Sequence, residues 1–363
     1  MRQSGKLVLF DHQIFSYQQY GGVSRYFVEL MKHIDFELWD TSFIISNNEY
    51  IKEIGKKFSY INFFKNLPFY KRERLMLELG KPYSLYKIRK EDYGVLHLTH
   101  YESYANLFTK RPVVMTYHDK LFSSYCYNKR TIKEQKKCFT RADKIITISN
   151  NTKNDLISLF DIDNKKIEVI YHGINKDKYI PKERIIKEKY ILFVGMRNGY
   201  KNFSRLLEVY AEIVKKDMPE LSLVCTGNSF GNDEMRKIER FGIKKEQISS
   251  KFYCDEELQN LYQNAELFIF PSEYEGFGLP LLEAMKNNCP IVCSNTSSMP
   301  EIAEDAAEYF NPLDVNDMFA AVKKILFSYE AREKLVEKGK QRCESFSWGK
   351  SAQKHIDLYK SLI

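Results

Sequence analysis

Short apolar runs alternate with stretches of helical spacing along this chain, and the alternation starts twice. The first series opens with KLVLF at residues 6–10 and passes into GGVSRYFVELMKHI, where Val23, Tyr26, Phe27, Leu30, Met31 and Ile34 fall at helical spacing. A strand, a glycine turn and a helix follow from that change of period. SFIIS, VLHLT, PVVMTYHD, KIITIS and IEVIYHG continue the series, each separated from the next by residues able to form a helix. Near residue 190 the pattern begins again with YILFVG, the helical SRLLEVYAEIVKK, LSLVCTG, the helical DEELQNLYQNA, LFIFPS, a further helix and PIVCS. Apolar strands separated by helices belong to parallel sheets covered on both faces. The expected fold class is therefore α/β, with two doubly wound, Rossmann-like domains.

Two domains also suit the length, because 363 residues exceed what one hydrophobic core organises. The charged stretch NKDKYIPKERIIKEKY, residues 175–190, lacks a periodic apolar face and reads as the linker, which puts one domain at 1–185 and the next from 186. Ligands of such sheets bind beyond the carboxyl ends of the strands, so a ligand cleft is expected between the domains. No run approaches the length of a membrane span, and the apolar part of MRQSGKLVLF is too short for a signal peptide. Seven cysteines, an odd number without a C-x-x-C pair, suit reduced thiols, and the expected location is the cytoplasm. Cys289 and Cys293 flank the apolar run of CPIVCS and read as buried strand thiols rather than metal ligands.

The net charge of +8 is unevenly placed: residues 1–185 hold 32 Lys and Arg against 21 Asp and Glu, while residues 186–363 hold 24 against 27. Much of the basic excess lies in FFKNLPFYKRERLMLELGKPYSLYKIRK, residues 63–90, where cations alternate with Phe, Tyr and Leu. That pattern suits a segment lying on an anionic membrane surface, and equally a solvated helix with one apolar face toward the core. No nucleic-acid-binding signature accompanies the charge.

Three loops stand at expected strand ends. Gly21 and Gly22 open the first helix, where a close backbone and unpaired N–H groups favour an anion such as phosphate. GMRNGYKNF, residues 195–203, carries Arg197 and Lys201 out of a glycine loop, placed to neutralise a diphosphate as a leaving group. PSEYEGFGLPLLEAM, residues 271–285, sets Glu275 on a loop and Glu283 on the helix that Pro280 opens. Between them the N–H groups of Phe277, Gly278 and Leu279 attract phosphate, and carboxylates accept paired hydrogen bonds from vicinal hydroxyls. Helix capping and dipole stabilisation account for each acid singly, but not for the pair with its glycines. A sugar, a diphosphate and a nucleoside in one ligand match the set.

PSEYEGFGLPLLEAM, with two glutamates separated by seven residues, resembles the signature of family 4 retaining glycosyltransferases of the GT-B fold. YGGVSRYF, TYHDKLF, ITISNNTKNDL, VIYHGIN, FVGMRNGYKNF and SSMPEIAEDAAEYFNPLD extend the likeness over nearly the full chain. The resemblance implies that Glu275 contacts hydroxyls of the transferred sugar, Glu283 the ribose, Arg197 and Lys201 the diphosphate, and Gly21 and Gly22 the phosphate from the opposite domain. It also implies that His118 of YHD faces the donor sugar, where an isolated histidine after an apolar strand is otherwise a core residue. Asp119 is an orienting neighbour or a turn residue, and His172 is given no chemistry. FSWGKSAQKHIDLYKSL looks like the terminal helix that crosses back onto the first domain, so the second domain is taken as 186–345 and that helix as 346–363.

The implied activity is transfer of a sugar, with retention, from a nucleotide sugar to a saccharide hydroxyl, the acceptor being lipid-linked in bacterial surface polysaccharide assembly. GDP-mannose is favoured over other donors, and the nucleotide sugar is a substrate, so no cofactor is called for. Asp161 and Asp163 have the spacing of metal-binding acids, but they lie in a charged loop before a strand, and no metal is expected. An epimerase or hydrolase on a similar sheet is the competing enzyme, although the G-x-G-x-x-G of a dinucleotide site is missing after the first strand. A binding protein that has lost catalysis is the competing non-enzyme, and the full set of Arg197, Lys201, Glu275 and Glu283 opposes it.

Overall fold

The computed structural model describes residues 5–54, 60–61, 72–120, 129–175, 183–197 and 199–363. They form two compact units, one of residues 1–173 with 347–363 and one of residues 174–346. The sequence-based boundary at 185 thus lies beyond the point where the contacts divide, and most of the linker stretch falls outside the described residues.

The first unit is built on β1 (Lys6–Phe10), β2 (Trp39–Thr41), β3 (Tyr93–Leu98), β4 (Val113–Tyr117), β5 (Lys144–Thr147) and β6 (Ile167–Val169). These strands lie in the order β2-β1-β3-β4-β5-β6, and every pairing is parallel. Val8 stands opposite Val95 and Leu9 opposite Leu96, so alternate residues feed two cores. Val8, Phe10, Val95, Val114 and Ile146 pack with the helix Gly22–Lys32 on one face. Leu9, Leu96, Val113, Met115 and Ile145 pack with Phe139 and Leu156 on the other. Apolar runs without polar alternation fold this way because both faces of a parallel sheet are covered.

The terminal helix Trp348–Lys360 completes the first of these cores with Trp348, Ala352, Leu358 and Tyr359. Its polar side chains are bound as well. Tyr359 Oη lies 2.6 Å from His97 Nδ1, and Tyr26 Oη lies 2.7 Å from His355 Nε2. Because Ser351 O accepts from His355 Nδ1, the Tyr26 hydroxyl must donate to Nε2. Gly173 lets this helix approach: a methyl group there would meet the Trp348 nitrogen at 2.0 Å.

The second unit holds β7 (Tyr190–Phe193), β8 (Ser222–Thr226), β9 (Ile248–Lys251), β10 (Leu267–Phe270), β11 (Ile291–Ser294) and β12 (Glu308–Phe310), again all parallel. Their order is β12-β11-β10-β7-β8-β9. The chain therefore winds outward in one direction from β7 and in the other from β10, which leaves a crevice beyond their carboxyl ends. In the first unit the same reversal falls between β1 and β3.

One sequence expectation changes. SFIIS is not a strand: β2 ends at Thr41, and within the run only Ile45 makes an isolated bridge, to Ile61. The edge position explains this, since three residues suffice to pair with β1 and the apolar side chains after them pack as loop. In the basic segment, residues 63–71 lie outside those described and Arg72–Lys90 form a helix. That helix buries Met76, Leu77 and Ile88 yet leaves Leu75, Leu79 and Tyr86 exposed, so it is apolar on both faces. Among the described residues no helix is long and apolar enough to cross a membrane.

Candidate active site

The crevice of the second unit is walled by the loops that follow β7 and β10. These strands are neighbours, with Phe268 opposite Leu192, so the loops emerge side by side. Three contacts then tie them together. Glu273 N donates to Tyr200 O at 2.7 Å, Arg205 reaches Glu273 at 2.7 Å, and Lys201 Nζ meets Glu275 Oε1 at 2.6 Å. Asn202 starts the following helix, Phe203–Lys216, in a left-handed conformation and anchors its amide on Pro312 O at 2.7 Å.

Lys201 and Glu275 are each 13% exposed at the side chain, so their charges face one another largely out of solvent. The lysine also lies 5.4 Å from the Phe270 ring centre, an apolar floor that strengthens its field. The Glu275 backbone is held from the turn after β11. Its N–H donates to Ser297 Oγ at 3.0 Å, while Ser297 and Ser298 both donate to its carbonyl and Ser298 also to Phe277 O.

From this pinned loop the helix Leu279–Lys286 departs through Gly278, whose φ of 98° is left-handed. Among the described residues the amides of Gly278 and Leu279 have no hydrogen-bond partner, and Pro280 has none to offer. Two N–H groups and the positive helix end thus stand beside the Lys201–Glu275 pair. Glu283, in the second turn of the helix, accepts from Tyr262 Oη at 3.2 Å. Replacing Gly278 with alanine is expected to destabilise the unit by about 1 to 2 kcal/mol, because a Cβ in that conformation is strained. It would also press on Leu281 Cδ1 at 3.1 Å and so displace the two amides. A thermal melt run beside a donor-binding titration checks both effects.

Arg197 has a different occupation from the one expected of it. Its Nε donates to Glu234 Oε1 at 2.7 Å, Nη1 to Ser250 Oγ at 2.8 Å, and Nη2 to Asn228 O at 2.7 Å and Ser229 O at 3.2 Å. No guanidinium nitrogen lacks an acceptor, and the side chain is only 6% exposed. Glu234, which spacing did not single out, neutralises this charge and also accepts from Gly231 N at 2.7 Å. A diphosphate would have to displace it to recruit Arg197. Beside this arginine a groove of about 820 Å³ opens, lined among others by Met196, Asn228, Lys237 and Phe252.

In the first unit His118 follows β4 and is 6% exposed. Its ring lies edge-on to Tyr26 at 5.0 Å, and Nε2 has no hydrogen-bond partner among the described residues. Burial, with a smaller contribution from His100, pushes its pKa down to about 3, so the ring is neutral near pH 7. At the glycine pair, Gln18 Oε1 accepts from Ser24 N at 3.0 Å and caps the helix. The same side chain fills the space beside Gly21, where a Cβ would meet it at 2.4 Å, while Gly22 is open. Asp161 and Asp163 serve turns: Asp161 ends the helix Asn150–Phe160 in a left-handed conformation, and Asp163 accepts from Lys165 N at 2.9 Å.

Residues 175–342 match the family described as Glycosyl transferases group 1, and residues 20–178 match Glycosyltransferase Family 4. The O-antigen chain mannosyltransferase B of Escherichia coli is 28% identical over 94% of this chain and 96% of its own length. The O-antigen chain mannosyltransferase RfbU of Salmonella typhimurium is 30% identical over 51% of each chain. Among solved structures, Anabaena HepE in complex with UDP and glucose superimposes with a TM-score of 0.78 over 98% of this chain and 99% of its own, at 16% identity.

Proposed function

The chain belongs to the family 4 glycosyltransferases of the GT-B fold, and from that premise we propose that it moves a hexose from a nucleoside-diphosphate sugar to a saccharide hydroxyl, with retention, in bacterial surface polysaccharide assembly. The observation that carries the proposal is the Lys201–Glu275 pair beside the amides of Gly278 and Leu279. These amides and the lysine suit a diphosphate. The carboxylates of Glu275 and Glu283 suit hydroxyls of the sugar and of the ribose. GDP-mannose is the donor favoured, in keeping with the mannosyltransferases to which the chain is similar.

In the proposed reaction the acceptor oxygen attacks the anomeric carbon on the face the diphosphate leaves. The bond to the leaving phosphate oxygen breaks, and that phosphate takes the acceptor proton. Lys201 leaves Glu275 for the departing phosphate, which frees the carboxylate for the sugar hydroxyls. The protein then contributes positioning and fixed charge rather than a covalent intermediate. Neutral His118 is proposed to accept or donate a hydrogen bond to the donor sugar through Nε2. The acceptor is proposed to be lipid-linked and met at the inner face of the cytoplasmic membrane, which the basic first half would favour.

Thermal-shift screening against UDP, GDP and ADP sugars, followed by product analysis with the stabilising donor, tests the reading. Stabilisation by one nucleotide sugar and an α-linked product are expected with an α-linked donor. Inversion, or no stabilisation by any donor, removes it. No metal or cofactor is proposed to take part, since Lys201 and the amides of Gly278 and Leu279 would serve the diphosphate charge. Turnover is therefore expected to persist in excess chelator, and strict dependence on added manganese or magnesium is the contrary outcome.

A further inference from the structure

We propose that the switch point of the first unit carries a carbohydrate platform, made by Tyr17 and Tyr20, that receives a pyranose ring of the acceptor. The place is one where a doubly wound sheet offers a ligand site, because the strand order reverses between β1 and β3. Tyr17 ends the first turn after β1, and its ring lies over His100, three residues short of the 3-10 turn that follows β3, with centres 5.0 Å apart at 31°. Tyr20 stands three residues on, immediately before Gly21, edge-on to Tyr50 at 5.9 Å.

Both rings face water from a loop that is otherwise tied inward. Tyr17 is 38% exposed and Tyr20 65%. Between them, Gln18 O accepts from Asn48 Nδ2 at 2.8 Å, Gln19 O from Glu49 N at 3.1 Å, and Gln19 Oε1 from Arg72 at 2.9 Å. Beneath the loop lies a buried lattice. Asp11 accepts from Thr99 N at 2.9 Å and Gln13 Nε2 at 2.6 Å, and Gln13 Oε1 accepts from Glu102 N at 2.8 Å, joining the segments that carry Tyr17 and His100. The backbone is thus fixed while its two largest side chains are presented. Rigid tyrosines give contact area at low entropic cost, with a polar tip for hydrogen bonds, which fits the apolar face and hydroxyl edge of a sugar.

The inference rests on the glycosyl-transfer reading for the identity of its ligand, but its test needs neither donor nor turnover. Saturation-transfer NMR with methyl α-D-mannopyranoside is run on the wild type, Tyr17→Ala, Tyr20→Ala and Tyr20→Phe. Transfer to the sugar ring protons is expected for the wild type and Tyr20→Phe, and loss in both alanine variants with unchanged thermal melts. With an active acceptor, KM for that acceptor rises about tenfold in the alanine variants while donor hydrolysis stays at the wild-type rate. Saturation transfer equal in all four proteins overturns the proposal. So does loss of binding to vesicles of phosphatidylglycerol and phosphatidylcholine with the sugar signal intact, which would make the tyrosines a lipid contact. Sugar binding at the tyrosines in a protein that transfers nothing would uphold the platform and refute the transferase reading.

Discussion

Replacing Lys201 with alanine is expected to lower kcat by about a hundred- to a thousandfold, the usual loss when one preorganised donor is taken from a developing anion. The same change leaves Glu275 as a mostly buried carboxylate without its 2.6 Å partner. Removing one member of such a pair is costly, about 3 to 5 kcal/mol, so the melting temperature falls too. The two effects separate in a double variant. Lys201→Met with Glu275→Gln removes both charges and is expected to recover much of the stability while turnover stays lost. Arg197→Ala provides the contrast. Its guanidinium holds Glu234, Ser250 and two carbonyls, so the loss falls chiefly on the order of residues 226–234 and less on the chemical step. Steady-state kinetics and melts on the three variants decide. Near-normal turnover in Lys201→Ala would end the assignment of the diphosphate to this lysine.

Moving from pH 7.5 to pH 5 is expected to weaken the first unit by several kcal/mol. Burial pushes His12 and His355 down to about 4 and His118 to about 3, and lowers His97 and His172 as well. A ring that stays neutral in the folded chain but is protonated in the unfolded chain below about pH 6.5 draws the equilibrium toward unfolding, by about 2 kcal/mol per ring at pH 5. The stability is thus present above the unfolded value and is lost as pH falls toward the folded ones. Asp11 acts in the opposite direction. Burial raises it to about 6, so its protonation in this window restores about 1 kcal/mol. Both tryptophans of the chain, Trp39 and Trp348, are buried in the first unit, so their fluorescence reports that unit alone. A urea midpoint lower by about 2 M or more at the acid pH is expected from this change. An unchanged midpoint would mean that the buried imidazoles are hydrated or already charged at neutral pH.

The central strands were legible because they are buried on both faces, and a run such as VVMTY at β4 then needs no polar residue. The edges were not. β9 reads ISSK and β12 EYF, since a strand with one neighbour and a wet flank needs no apolar run, and SFIIS misled for the converse reason: its apolar residues pack as loop. At the site, Lys201, Glu275, Gly278 and Glu283 could be named because each stands at a fixed distance from a strand or turn that sequence marks. The partners of these residues could not be named. Glu234 lies 37 residues from Arg197, and Ser297 lies 22 from Glu275.

The sequence by itself determined the two α/β units, the loops that end their strands, the left-handed glycine at 278 and the chemistry those loops contain. These follow from local periodicity and from conformations only certain residues tolerate. Tertiary structure alone decided which charges are spoken for: that Lys201 faces Glu275, that Arg197 is held by Glu234, and that Tyr17 and Tyr20 face water while five histidines sit neutral beneath the surface. A charge has a preference for opposite charge but none for sequence distance. Its partner is fixed only when strand order brings two loops to the same end of a sheet.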